Sequence, residues 1–139
     1  MDDPHHLQRF VDAQRPVYDD VLAELSAGAK TSHWMWFVFP QLRALGRSAT
    51  ARHFGLAGLD EAEAYWRHPL LGPRLRECTA RVLAVPGRSA LQIFGTIDAM
   101  KLRSSMTLFE RAAPQEPVFR AALDRFFEGR ADERTLELL

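Results

Sequence analysis

The chain has 139 residues, of which 47% are hydrophobic and 26% charged, enough for one soluble domain with a real core. Acidic and basic residues balance to a formal net charge of zero, so the total points neither to nucleic acid nor to an anionic membrane. The single cysteine, Cys78, excludes an internal disulfide and a cysteine-based zinc site, and reads as a small core residue of a helix.

Residues 7–15 place Leu7, Phe10, Val11 and Gln14 on one helical face. Pro16 suits the start of a second helix carrying Val17, Val21, Leu22 and Leu25, and Gly28 sits where its C-cap belongs. Next comes the densest stretch, Lys30 to Gln41, with Trp34, Trp36, Phe37 and Phe39 close together. Ser32 as N-cap and Pro40 as stop predict a short buried helix from Trp34 to Phe39. A strand is the rival, but no partner strand is visible elsewhere.

Ser48 caps a helix to Phe54, and Asp60 caps another to Arg67. His68-Pro69 breaks the chain before a long amphipathic helix through Leu71, Leu75, Cys78, Val82 and Leu83. Ser89 opens one more turn, closed by Gly95. Thr96 then caps a helix from Ile97 to Ala112 whose apolar positions are Ile97, Met100, Met106, Leu108 and Phe109. A helix from Val118 to Glu128 carries Phe119, Leu123, Phe126 and Phe127, with Gly129 as its cap. Arg134 to Leu139 forms a terminal helix or tail. The expected fold is all-α or mainly α, one compact domain over residues 1–139 with about six to eight short helices.

The N-terminus lacks a basic region and an apolar run, and no apolar run approaches the length of a membrane span. A cytoplasmic protein without membrane or nucleic-acid partners is therefore expected. No histidine pair has metal spacing beside a carboxylate, and no phosphate-loop or Gly-x-Ser-x-Gly pattern occurs, so no metal or cofactor is expected. His5, His6 and His53 read as surface residues.

Chemistry concentrates in two stretches. The chain has sixteen arginines but only two lysines, and Lys30 and Lys101 fall one in each. In the first, Lys30, Ser32, His33 and Gln41 flank Trp34 and Trp36. In the second, Asp98 and Lys101 share a helix face, and Lys101 aligns with Ser104 and Ser105. A cation and hydroxyls at a helix start suit an anion, with Arg103 as a second cation. Facing an aromatic wall, they would suit a flat ligand bearing a phosphate, such as a nucleotide or ADP-ribose derivative. His33 is the candidate general acid or base, because histidine titrates near neutrality, and Asp98 or Asp60 could share the role. His68, in a break between Trp66 and Arg74, is a further candidate binding residue, although a capping role is the commoner one. The competing reading is a solvated helix face with an Asp98–Lys101 ion pair.

Three stretches, Ser32 to Leu42, His68 to Leu75 and Ile93 to Phe109, together resemble the domain-of-unknown-function 1810 family. The resemblance runs from Leu7 to Leu139 and implies a small, mainly helical bacterial protein. Members of that family often carry the label calpastatin, a name for calpain inhibitors. Such inhibitors are long, disordered and repetitive, unlike this aromatic-rich chain. In size and helical make-up the chain is also similar to helical ADP-ribose and riboflavin-pathway N-glycosidases. Two functions follow as expectations: a site for an anionic small molecule between residues 32–41 and 96–105, or a protein-interaction module using an aromatic surface. The residues leave open whether any reaction occurs, and in what oligomeric state.

Overall fold

Proline and glycine punctuation cuts the chain into short helices, and tertiary burial rather than helix length must hold them. The computed structural model describes residues 2–139. In order these form α1 (Gln8–Gln14), α2 (Tyr18–Ala27), α3 (Met35–Val38), a 3-10 turn (Arg43–Leu45), α4 (Ala49–His53), α5 (Leu59–Arg67), α6 (Leu71–Leu83), α7 (Ala90–Phe94), α8 (Thr96–Ala112), α9 (Pro117–Phe127) and α10 (Glu133–Leu138). The domain is all-α. Ten helices appear among the described residues where about six to eight were expected, because the turn opened by Ser89 (α7) and the terminal segment (α10) both close as helices of their own. Among the described residues the nearest approach to a strand is one parallel bridge between Leu42 and Leu56. Among the described residues no helix is long and apolar enough to cross a membrane.

Several local signals act as expected. The Ser48 hydroxyl accepts from the Ala51 N–H at 3.1 Å. Ser89 and Gln92 form a reciprocal capping box at the head of α7. Gly28 ends α2 in the left-handed region, at φ 68°. Three other predicted caps do not form. The residues at the heads of α3, α5 and α8 are Trp34, Gly58 and Gly95, so Ser32 lies outside α3 while Asp60 and Thr96 fall inside their helices. At the far end of α9 it is Glu128, at φ 56°, that caps the helix, with Gly129 following.

Helix α8 is the axis of the domain, packing against α5, α7, α9 and α10. Between Leu102 and Phe109 all but Arg103 are buried, as a central helix requires. Aromatic rings link the layers: Phe10 meets Tyr65 edge-on at 5.1 Å, Tyr65 meets Phe109 at 5.4 Å, and Phe109 meets Phe119 at 5.8 Å. Buried Gln14 is satisfied by donating to the Phe37 carbonyl at 2.7 Å and to the Tyr65 hydroxyl at 3.1 Å. Two expected core positions face outward instead: Ile97 is 70% and Met100 67% exposed. They lie on the first turns of α8, which are more exposed than its middle.

Candidate functional site

The loop after α2 is shaped by one carboxylate. Glu24 accepts from the N–H groups of Thr31 (2.7 Å) and Ser32 (2.9 Å), the Ser32 hydroxyl (2.7 Å) and the Trp34 indole (3.1 Å). Burial works to raise its pKa, but these donors together outweigh it and hold the carboxyl down at about 2. The loop is also tied to α7, since the Lys30 N–H donates to the Ile93 carbonyl at 2.9 Å. The side chain of Lys30 is thereby aimed at Asp98 in the first turn of α8.

The Lys30 ammonium lies 2.8 Å from Asp98 Oδ2, donates to the Ser32 carbonyl at 2.5 Å, and sits 4.9 Å from the centre of the Trp34 ring. It is ringed by a carboxylate, a carbonyl and a π face, and its side chain is only 7% exposed. One turn along α8, the Lys101 ammonium stands 3.9 Å from Asp98 Oδ1 and 5.1 Å from the centre of the Trp36 ring. Both lysines thus converge on one carboxylate, each against its own tryptophan. The pairs are not equivalent. Lys101 is beyond hydrogen-bonding distance of Asp98 and is the freer cation, and the three charges leave one positive charge in excess.

The remaining predicted residues fall in different places. Trp34 is core, 1% exposed, while Trp36 is half-buried. Ser32 is committed to Glu24. Ser104 bonds back to the Met100 carbonyl at 3.2 Å, and Ser105 is fully buried with its hydroxyl unpartnered among the described residues. Arg103 is engaged elsewhere: it donates to the carbonyls of Arg130 (2.8 Å) and Ala131 (3.0 Å), stapling the connection into α10. His68 accepts the N–H groups of Leu70 and Leu71 on Nδ1, at 3.1 and 3.2 Å, which makes it the cap of the α5–α6 corner. It lines a separate cleft with Trp66, Gly72 and Arg76. His33 is exposed ahead of α3, and Gln41 is half-buried, its carbonyl accepting the Leu56 N–H at 2.9 Å.

The structure therefore brings together Lys30, Trp34, Trp36, Asp98 and Lys101, and leaves Arg103 and His68 outside that group. Glu24, which organises the loop, carries no local signal, because its partners lie across a turn. A second concave region was not expected: His5, His6 and His53 share an open cleft of about 370 Å³ with Arg9, Arg43 and Glu61.

A family model described as "Protein of unknown function (DUF1810)" matches residues 4–139. The crystal structure of the conserved hypothetical protein Rv1873 from Mycobacterium tuberculosis is similar throughout, with 55% sequence identity and a TM-score of 0.97. The match covers 99% of this chain and 98% of that one. No curated protein matches the chain.

Proposed function

Because the chain belongs to the DUF1810 family, whose description names no activity, we propose from its own side chains that it binds an anionic small molecule with one flat face at the corner of Trp36, Asp98 and Lys101. The observation that carries this reading is Lys101, a partly exposed cation over a tryptophan ring that Asp98 does not fully engage. The first turn of the 17-residue α8 adds backbone donors that no side chain caps. The ligand class that suits these groups is a nucleotide or ADP-ribose derivative, its base against Trp36 and its phosphate toward Lys101. Any proton transfer falls to His33 with Asp98, and a cytoplasmic setting suits both such a ligand and a free, buried Cys78.

A melting screen against nucleotides, ADP-ribose and sugar phosphates tests this. A ligand at a hundred times its Kd stabilises by about 2.7 kcal/mol, and Lys101→Ala abolishes the shift. No shift from any of these anions defeats the reading. A second reading, a protein-docking surface, is favoured by Leu91, Ile97 and Met100, which stand 58%, 70% and 67% exposed around α7 and the head of α8. A partner that binds wild type but not Met100→Asp, without any small-molecule shift, selects it.

A further inference from the structure

The second cleft is built on a sealed floor. Arg9 donates from Nε to the His53 carbonyl (3.0 Å), from Nη1 to the carbonyls of His5 (2.6 Å) and His6 (2.7 Å), and from Nη2 to Gly55 (3.3 Å) and Glu61 Oε1 (2.9 Å). The other Glu61 oxygen accepts the Ala57 N–H at 2.7 Å. Side chains of both partners are under a tenth exposed, so this ion pair is neutral, satisfied and rigid. It also clamps the backbones that carry all three histidines.

The rim is different. Among the described residues Arg43 makes one long side-chain hydrogen bond, 3.4 Å to the Gly55 carbonyl, which leaves most of its guanidinium donors unspent there. Its position is fixed by backbone: its N–H donates to the Leu56 carbonyl at 2.8 Å, and a Cβ on Gly55 would lie 2.3 Å from its Cα. His53 is held edge-on against Phe54 at 4.7 Å. His6 sits at φ 53°, a strained conformation for a residue with a side chain, and the Arg9 bond to its carbonyl helps to hold it there. Among the described residues that line the cleft, the charged ones are Arg9, Arg43 and Glu61; Glu61 is matched by Arg9, and Asp3, next to Pro4 of the lining, is spent on the N–H groups of Leu7 and Gln8. Arg43 is thus an uncompensated cation among three imidazoles. Among the described residues no group of His, Cys, Asp or Glu is arranged to hold a metal ion, and Glu61 has no free oxygen to offer one.

We infer that this cleft is a second binding site, for a small phosphate-monoester dianion, with Arg43 as the charged fork and His5, His6 and His53 as neighbouring donors over the Arg9–Glu61 floor. It is separate from the Trp36–Lys101 corner and shares no residue with it.

Titration calorimetry with glycerol phosphate and with inorganic phosphate, at constant ionic strength against chloride, tests the assignment. Arg43→Ala binds about tenfold to a hundredfold more weakly than wild type, the loss expected for charge-assisted hydrogen bonds. Binding of glycerol phosphate no tighter than chloride, or an Arg43→Ala variant with wild-type affinity, overturns it. Should Arg43→Ala melt early, His53→Gln decides: weakened binding with an unchanged melt supports the site, and unchanged binding overturns it. Weakening by Lys101→Ala alone would assign the phosphate to the other corner and overturn this one.

Discussion

Lys30 and Asp98 meet at 2.8 Å and so join the loop after α2 to the first turn of α8. The lysine side chain is nearly sealed from water, and that carboxylate supplies its countercharge. Asp98→Ala should destabilise the fold by about 2–4 kcal/mol, because an unpaired buried ammonium remains. Lys101, freer and more distant from Asp98, should cost within about 1 kcal/mol when changed to alanine. Urea denaturation of the two variants checks the contrast, and equal losses would refute the division of roles.

That contrast also marks what was legible beforehand. The Asp98–Lys101 pairing follows from an i, i+3 spacing, and the caps at Ser48 and Ser89 from their own neighbours, so short-range rules reach them. The partner of Lys30 lies far along the chain, and so do the carbonyls that engage Arg103; no local pattern encodes either. Ser32, Asp60 and Thr96 were misplaced as caps because each stands near another residue that turns the chain, Trp34, Gly58 or Gly95. Ile97 and Met100 fit a helix period but face outward, since periodicity finds a face without saying whether anything covers it. His5, His6 and His53 come together only through the tertiary staple of Arg9.

Glu24 gives the chain a specific acid sensitivity. Its carboxyl titrates near 4.5 ordinarily but at about 2 when folded, so below 4.5 the unfolded chain takes up a proton that the folded one refuses. The stabilisation is complete above that value and is lost progressively as pH falls from about 4.5 to about 2. Glu24→Gln should remove this component, so the stability gap between wild type and variant should narrow across that window. Denaturation of both proteins at a series of acid pH values measures it, and parallel curves would show that Glu24 carries none of the dependence.

Ser105 is a polar group with no return. Its neighbours Ser104 and Thr107 donate to carbonyls one turn back, at 3.2 and 2.8 Å, whereas the Ser105 hydroxyl is buried without a partner among the described residues. Alanine removes the unsatisfied oxygen and favours helix, so Ser105→Ala should raise stability by about 1 kcal/mol. A thermal melt reads this directly. A loss of similar size would mean that the hydroxyl has a partner in solution.

The corner between α5 and α6 closes so tightly that it admits no side chain at Gly72. A Cβ there would stand 2.1 Å from the Trp66 carbonyl oxygen, and backbone cannot swing aside as a long side chain would. The His68 imidazole fixes the same corner by accepting two N–H groups, so relaxation on that side would break the cap. Gly72→Ala should therefore cost about 3 kcal/mol, at the upper end of overpacking effects. Gly58 provides the matched control, because its backbone is extended and an added Cβ would meet nothing within 4 Å. Gly58→Ala should be within about 1 kcal/mol of wild type, with a small gain from a stiffer unfolded chain. If chemical denaturation finds the two substitutions equally mild, the corner has room that its geometry denies.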